Sequence, residues 1–315
     1  MFCSVVIPTI GRPSLSRAVH SVLEQSFDRA PFELLVVNDS GKPLPHEPWQ
    51  ESERVTILQT SRRERSFARN CGAAVGRGDY FYFLDDDDWL LPGALSAFWE
   101  LAQEAPQAAW LHGAVCVVGE HGRVLAERNS QVQGSCLAQI MGGAWVPIQS
   151  SIIRATDFFA AGGYNPLIRV TQDQDLCRRI AARGTLANTP SVVACLFRGD
   201  DWQTSTDYRR AAEDTRRSRH DVVRQPGVLR KMLASAKTSY WHGRVVHVYL
   251  GLALWQWRRR RPLSSASCAL QGMAALLLSS PHMFRAAFWK AMRDDHVPGS
   301  LHFIQLAWER EGRGR

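Results

Sequence analysis

One stretch of the chain, Asp79–Trp89, reads DYFYFLDDDDW, an apolar run that ends in four consecutive carboxylates. The apolar half is typical of a buried strand, but adjacent carboxylates repel one another unless a cation lies among them or water covers them. Oxygen ligands suit a hard divalent cation such as Mg²⁺ or Mn²⁺, which completes its shell with waters and substrate phosphates. The pattern therefore favours a strand whose end holds a metal-bridged diphosphate ligand.

A simpler interpretation is that the acidic run only caps the following helix, because Asp is favoured at helix N-termini. The preceding residues favour the ligand site. Two apolar strands are predicted at residues 4–9 and 33–39, separated by a helical pattern, and this alternation predicts an α/β sheet with right-handed crossovers. Ligands in such sheets bind beyond the carboxyl ends of the strands. Thr9, Asp39 and Asp85 would then line one crevice.

Neither a GxGxxG fingerprint nor a GxxxxGK[ST] loop is present, so a glycine-rich phosphate loop is not expected and a metal would have to hold the diphosphate. Further helices are predicted at residues 64–75 and 172–183. The second carries Asp173 and Asp175 in its first turn, where carboxylates suit the helix dipole. For Asp175 that dipole compensation is the favoured interpretation.

Charge divides the chain into two zones. Residues 1–208 hold 18 Lys and Arg against 23 Asp and Glu, whereas residues 209–315 hold 20 against 7. A basic zone is typical of a protein that binds a polyanion, either an anionic membrane surface or nucleic acid. Nucleic acid is not expected as a partner, because no recognised binding motif accompanies the charge.

The basic zone is predicted to be helical. Its apolar runs, Val245–Trp257 and Cys268–Leu278, are each shorter than the roughly 20 residues that span a bilayer. Tryptophans near basic residues suit a membrane interface, and four of them lie here: Trp241, Trp255, Trp257 and Trp289. Two interpretations stay open, interfacial association with a membrane and a helical subdomain that packs on the rest of the chain with Arg258–Arg261 in solvent.

The seven cysteines are scattered and form no CxxC pair, which predicts structural thiols in a reducing compartment. The N-terminus, MFCSVVIPTIGRP, has no basic region and no long apolar segment, so no signal peptide is expected. Both features predict a cytoplasmic protein, with a peripheral position on the inner face of the cytoplasmic membrane left open.

Four ordered segments, SVVIPTIGR, LLVVNDSG, ARNCGAAVGRGDYFYFLDDDDW and GGYNPLIRVTQDQDL, resemble the family 2 glycosyltransferases over roughly residues 3–205. The resemblance implies a GT-A fold, a Rossmann-like mixed sheet flanked by helices, and a nucleotide-diphosphate sugar as donor. It implies a catalytic domain over residues 1–208, with donor binding in 1–105 and acceptor binding in 106–208. A basic helical region, 209–315, follows.

The resemblance places the nucleotide at the first two strand ends. Pro8, Thr9 and Arg12 lie where the family's first loop meets the nucleotide. Asp39 occupies the position that holds the base of uridine-type donors, which makes a UDP-sugar the expected donor.

The family's Asp-x-Asp motif maps to the acidic run, preceded by Arg69 of its RNxG element. The resemblance implies that Asp85 faces the ribose or the metal and that Asp87 is the principal ligand of Mn²⁺ or Mg²⁺. Asp86 is assigned to the cofactor-binding residues with them, although the run by itself also allows Asp86 to face solvent. Asp88 is the usual extra acid and is expected to support the pair.

The family's catalytic base maps to Asp173, in a Glu-Asp element that here reads Gln172-Asp173. The change to Gln removes a charge beside the base and leaves the role of position 172 open. Three further sets of residues are candidates for phosphate or metal contacts, or are solvated: Arg62, Arg63 and Arg65; Arg198; and Asp200 with Asp201, where relatives carry a His.

The implied reaction is an inverting sugar transfer, in which one carboxylate deprotonates an acceptor hydroxyl and a metal assists departure of the nucleotide. The expected acceptor is a glycan or a lipid-linked precursor in surface polysaccharide synthesis. Two alternatives are a sugar-phosphate nucleotidyltransferase, which would need a glycine-rich N-terminal loop that is absent here, and a non-catalytic, membrane-associated protein that binds nucleotide sugars.

Overall fold

The computed structural model describes residues 1–60, 64–198, 208–258 and 260–293. The chain forms two compact units, the first from Met1–Ser135 and Val146–Asp207 and the second from Cys136–Trp145 and Tyr208–Arg315. Four candidate residues of the sequence analysis lie outside the described ranges: Arg62, Arg63, Asp200 and Asp201.

The elements follow the chain in this order. The strands are β1 (Cys3–Thr9), β2 (Phe32–Asn38), β3 (Val55–Gln59), β4 (Tyr80–Phe83), β5 (Trp89–Leu90), β6 (Ala108–Val118), β7 (Val124–Arg128), β8 (Ser151–Arg154) and β9 (Thr185–Phe197). The helices are α1 (Leu15–Leu23), α2 (Arg65–Val75), α3 (Ala94–Glu104), α4 (Leu137–Met141), α5 (Ala155–Ala160), α6 (Gln172–Arg183), α7 (Tyr208–Val223), α8 (Val228–Ala234), α9 (Thr238–Arg258), α10 (Pro262–Leu278) and α11 (Ala286–Arg293).

The first unit is built on one mixed sheet with the strand order β3-β2-β1-β4-β8-β6-β9-β5, and β7 pairs with β6. Strands β1 to β4 are parallel to one another, whereas β8 is antiparallel to both β4 and β6. Helices cover both faces of the first strands, so β2 is buried along its whole length. The predicted α/β class, with a mixed sheet flanked by helices, is confirmed.

Helix α2 packs unusually close to the sheet at Gly72. A Cβ atom at this position would lie 2.4 Å from Cγ1 of Val6 and 3.1 Å from Cγ2 of Val37, so only glycine fits without displacing β1 or β2. The close approach places Arg69, almost one turn earlier in α2, directly beside the carboxyl end of the sheet. The helix starts at Arg65 because the Glu64 carboxylate accepts hydrogen bonds from the Ser66 and Phe67 amides.

The second unit is helical throughout its described elements. Helix α9 packs against α11 so closely that a Cβ on Gly243 would lie 2.3 Å from the Phe288 carbonyl oxygen. Buried Arg244 of α9 donates hydrogen bonds to the carbonyl oxygens of Gly142 and Ala291, each at 3.3 Å. None of the described helices is both long enough and apolar enough to cross a membrane.

Candidate active site

Parallel strands β1 and β4 bring polar side chains to one edge of the sheet. Val6 pairs with Phe83, so the residues that follow β4 extend to the level of Thr9 at the end of β1. The Thr9 hydroxyl donates to Oδ2 of Asp86 at 2.6 Å and accepts from the Gly11 amide at 2.9 Å. The first loop and the acidic run, far apart in the sequence, therefore form one surface.

Asp39 lies at the same edge, directly after β2. Its amide donates to the Thr9 carbonyl oxygen at 2.9 Å, and its side chain is buried. Pro8, half-buried in the structure, precedes Thr9 in β1. Among the described residues, Asp39 does not belong to the carboxylate group that can hold a metal, which is consistent with a separate task for it.

Arg12 connects the first loop to the acidic run. Its Nη1 donates to Oδ1 of Asp86 and to Oδ2 of Asp87, both at 2.9 Å. Asp86 is buried, so the alternative in which it faces solvent is wrong: the Thr9 hydroxyl and Arg12 hold it inward. Burial raises the pKa of Asp86, and it outweighs the opposing effects of Thr9 and Arg12.

A single buried guanidinium occupies the centre of the site. Arg69, with 1% of its side chain exposed, donates from Nη2 to Oδ1 of Asp85 at 2.6 Å and from Nη1 to Oδ1 of Asp173 at 3.0 Å. One cation therefore joins a carboxylate after β4 to a carboxylate in the first turn of α6. Arg69, Asp85 and Asp173 were predicted separately, and the structure brings all three together.

The two carboxylates on Arg69 have opposite electrostatic character. Burial raises the pKa of Asp85, but Arg69, Arg65 and a hydrogen bond from Gln149 outweigh it and lower the pKa to about 2. For Asp173, burial and the nearby Asp85 charge outweigh Arg69 and Arg65, and the pKa is raised. Asp85 thus stays anionic, whereas Asp173 is a more basic proton acceptor than an ordinary Asp.

Tyr164 is a site residue that sequence reasoning did not assign. Its ring lies under the Arg69 guanidinium, 5.0 Å from ring centroid to Cζ, and its hydroxyl acts to lower the pKa of the Asp173 carboxyl. Asn70 fixes the Tyr164 backbone, donating to its carbonyl oxygen at 2.8 Å and accepting from its amide at 2.9 Å. Asn70 of the RNxG element lies 94 residues from Tyr164 in the chain, so no local pattern connects the two.

Gln149 and Arg17 are two further residues that the sequence did not reveal. Gln149 donates from Nε2 to Oδ2 of Asp85 at 2.9 Å, and the Tyr82 hydroxyl in turn donates to the Gln149 carbonyl oxygen. Arg17 of α1 donates to the Asp87 carbonyl oxygen at 2.8 Å and lies 4.0 Å from the centroid of the Trp89 ring. Neither belongs to a motif, because a single Gln or Arg in a loop or helix carries no pattern.

Three carboxylates of the run can hold a metal ion. One oxygen each of Asp85, Asp87 and Asp88 lies within 4.8 Å of the others. Asp88 is buried; its Oδ1 accepts from the Phe197 amide at 2.8 Å, but its Oδ2 is buried without a hydrogen-bond partner among the described residues. An unpaired buried carboxylate oxygen is costly, and a hard divalent cation would satisfy it. The residues present therefore fit Mg²⁺ or Mn²⁺.

The remaining candidates have local partners. Arg198 donates to the Phe197 carbonyl oxygen at 2.7 Å, and its Nη1 lies 3.8 Å from Oδ1 of Asp88, so it borders the carboxylate group. Asp175 is buried and accepts from Nε and Nη2 of Arg179 at 2.9 and 2.7 Å. Its first-turn position suits the dipole as predicted. Its ion pair with Arg179 lies within α6, and Arg179 also donates to the Gly163 carbonyl oxygen at 2.7 Å.

Gln172 has a structural contact that a Glu cannot make. Its side chain is buried, and its surroundings direct the amide nitrogen at the carbonyl oxygens of Val170 and Arg169, at 2.9 and 3.1 Å. The amide therefore ties the start of α6 to the preceding loop, next to Asp173.

We expect Gln172→Glu to lower the free energy of unfolding by about 1–3 kcal/mol, because a buried carboxylate would face two carbonyl oxygens and lose both hydrogen bonds. Urea denaturation measures the change. Gln107→Glu, which adds the same charge at an exposed position, is the matched control. Equal stability of the two variants would contradict this role of Gln172.

Comparison with known proteins agrees with this geometry. Residues 4–157 match the family model described as glycosyl transferase family 2. An uncharacterized glycosyltransferase of Haemophilus influenzae is 24% identical over 215 residues, which cover 65% of this chain and 71% of that protein. The poly(ribitol-phosphate) beta-N-acetylglucosaminyltransferase TarP of Staphylococcus aureus is 30% identical over 107 residues, 32% of this chain and 33% of TarP.

One further sequence match and one solved structure also show a similarity to glycosyltransferases. The GalNAc(5)-diNAcBac-PP-undecaprenol beta-1,3-glucosyltransferase of Campylobacter jejuni is 31% identical over 108 residues, 32% of this chain and 34% of that enzyme. The crystal structure of S. aureus TarS residues 1–349 superimposes with a TM-score of 0.59 at 13% identity, covering 85% of this chain and 90% of that one. At this identity the superposition establishes the GT-A fold that the resemblance implied. The match of residues 4–157 to the family model shows that the chain belongs to the family 2 glycosyltransferases.

Proposed function

We propose that this glycosyltransferase uses a UDP-sugar as donor and a divalent cation as cofactor. One observation carries the proposal: the Arg69 guanidinium binds both Asp85 and Asp173. Asp85 belongs to the carboxylate group that fits a metal, and Asp173 is the more basic of the two carboxylates. This contact supports the assignment of Asp85 to the donor side and of Asp173 to the acceptor side of a transfer reaction. TarS, which shares the fold, has been crystallised with UDP-GlcNAc and with UDP, which supports a uridine nucleotide here.

The donor is assigned to the edge formed by β1, β2 and the acidic run. Asp39 would bind the uracil, the end of β1 with Pro8 and Thr9 would border the nucleotide, and Arg12 would face the diphosphate. Asp87 and Asp85, together with Asp88, would hold Mn²⁺ or Mg²⁺. When bound, the cation acts as a Lewis acid that neutralises charge on the departing diphosphate.

Asp173 is assigned as the general base. Its carboxylate is about one-third exposed, so an acceptor hydroxyl can reach it, while Arg69 fixes its orientation. The raised pKa increases its strength as a proton acceptor. Asp173 would take the hydroxyl proton as the acceptor oxygen bonds to the anomeric carbon, while the bond from that carbon to the diphosphate oxygen breaks and UDP leaves. A single displacement of this kind inverts the configuration.

The proposed acceptor is a hydroxyl group of a glycan or a lipid-linked precursor in surface polysaccharide synthesis. The C. jejuni relative is named for an undecaprenol-linked acceptor and TarP for poly(ribitol-phosphate), which supports an acceptor of this class. Residues 1–105 would bind the donor and residues 106–208 the acceptor, while residues 136–145 belong to the second compact unit.

A thermal-shift panel of nucleotide sugars with and without Mn²⁺ tests the donor proposal. At about a hundredfold excess over Kd, a ligand stabilises the folded state by about 2.7 kcal/mol, which raises Tm by about 5 °C. We expect this shift for a UDP-sugar and a smaller one without Mn²⁺.

Equal shifts for GDP- and UDP-sugars would contradict the uridine assignment, and equal shifts without Mn²⁺ would contradict the metal. Release of pyrophosphate from a nucleoside triphosphate would favour the nucleotidyltransferase alternative instead. Binding of the donor without transfer to any hydroxyl acceptor would favour the non-catalytic one.

A further inference from the structure

Helix α10 has its large and small side chains in the reverse of the usual arrangement. A helix of a water-soluble protein normally buries its large apolar residues and exposes polar ones. In α10 the buried residues are Ser265 and Gly272, whereas Leu263 is 87% exposed and Leu277 is 76% exposed. Leu270 is also exposed.

The contact between α10 and α9 explains this arrangement. The Ser265 hydroxyl donates to the Ala253 carbonyl oxygen of α9 at 2.8 Å. A Cβ at Gly272 would lie 3.0 Å from Cδ2 of Leu250, so the two helices approach closely at this point. Close contact through small residues, with hydroxyl-to-backbone hydrogen bonds, is typical of helix pairs that lie among lipids.

The exposed apolar surface extends beyond α10. We define the apolar face of the second unit as the exposed large apolar residues of α9, of α10 and of the turn after α10: Leu250, Leu254, Trp257, Leu263, Leu270, Met273, Leu277, Leu278 and Phe284. Helices α9 and α10 pack on each other, and a concentration of exposed apolar side chains on adjacent helices marks an interaction surface.

The part of the sequence that carries the apolar face has charges of one sign. Residues 222–293 contain twelve Lys and Arg and no Asp or Glu. Helix α10 carries no charged residue at all, and exposed Arg260 and Arg261 lie immediately before it. Apolar side chains bordered by cations match the boundary between the acyl chains and the head groups of an anionic bilayer.

We propose that the second unit docks on an anionic lipid bilayer through its apolar face, with Arg260 and Arg261 at the head groups. The 17 residues of α10 rise by about 25 Å, less than the ~30 Å hydrocarbon core. The helix therefore lies in the interface. A second copy of the chain fits this face less well, because it would bring two basic surfaces together. The proposal does not depend on the donor or the acceptor.

Flotation of the full chain with vesicles tests the proposal. Vesicles of phosphatidylcholine alone are compared with an equimolar mixture of phosphatidylcholine and phosphatidylglycerol. We expect the parent chain to bind the mixed vesicles. The double substitution Leu270→Glu/Leu277→Glu should weaken this binding by about tenfold or more, because two inserted apolar groups become charged. Arg260→Ala/Arg261→Ala is expected to weaken binding to the mixed vesicles by about tenfold.

Val124→Glu, which places a charge on exposed β7 of the first unit, is the matched control and is expected to bind like the parent. All these positions are exposed, so circular dichroism should show the same fold in each variant. Equal binding of Leu270→Glu/Leu277→Glu and parent, or equal binding to neutral and anionic vesicles, would overturn the proposal. So would a concentration-dependent dimer, lost in Leu270→Glu/Leu277→Glu, in a chain that binds no vesicles.

Discussion

Replacement of Asp173 by Asn is expected to lower kcat for sugar transfer by about 10³-fold or more, because a general base contributes about 10²–10⁴. The variant should still fold. Asn keeps an oxygen that accepts from Nη1 of Arg69, and Asp85 still balances the buried guanidinium. We expect the free energy of unfolding to change by about 2 kcal/mol or less. Transfer assays and urea denaturation measure the two effects.

The donor should still bind to Asp173→Asn, because the assigned donor residues lie at the other side of Arg69. Calorimetry with UDP and Mn²⁺ checks this. Asp79→Asn, which neutralises a carboxylate with 77% of its side chain exposed, is the matched control and should transfer normally. Full activity of Asp173→Asn would refute the base assignment, whereas loss of both donor binding and transfer would place Asp173 on the donor side.

The second large effect is expected for Asp87→Ala. This substitution removes the proposed principal metal ligand, so we expect Mn²⁺-dependent binding of UDP to be lost and transfer to fall by about 10³-fold or more. Stability should be unchanged or slightly higher. Burial and the neighbouring Asp85 raise the pKa of Asp87, which means that its charge is unfavourable where it lies, and Arg12 retains Asp86 as a partner.

Isothermal titration with UDP, in the presence of Mn²⁺ and again with excess chelator, measures the metal-dependent part of binding. Asp28→Ala, in which the removed carboxylate is almost wholly exposed, is the control. If Asp87→Ala binds UDP with the same dependence on Mn²⁺ as the parent, the metal lies elsewhere or is held by Asp85 and Asp88 alone.

The acidic run shows how far a sequence pattern can be taken. Four consecutive Asp residues at a strand end predicted a cation site, and three of them do form a group that fits one. The pattern did not distinguish the four side chains. Asp86, which the run allowed to face solvent, is held inward by Thr9 and Arg12. These partners lie at the end of β1 and in the loop that follows it, more than seventy residues earlier in the chain.

Gln149 and Tyr164, which lie beside Asp85 and Asp173, show the same limit of prediction from sequence. Gln149 contacts Asp85 because a turn before β8 ends beside β4. Tyr164 lies under Arg69 because Asn70 binds its backbone. A single polar residue in a loop has no periodicity and no spacing that could reveal such a contact, so no reading of the local sequence would have assigned either one.

The sequence by itself determined the α/β class, the family, the strand ends that carry polar residues and the uneven distribution of charge. These features depend on local periodicity, on ordered motifs and on composition, all of which are present in the linear chain. Tertiary structure alone decided that one buried guanidinium, Arg69, holds Asp85 and Asp173 together, and that α10 turns its leucines outward. Both depend on close helix packing at a glycine, Gly72 in α2 and Gly272 in α10, and packing partners are set by the whole fold.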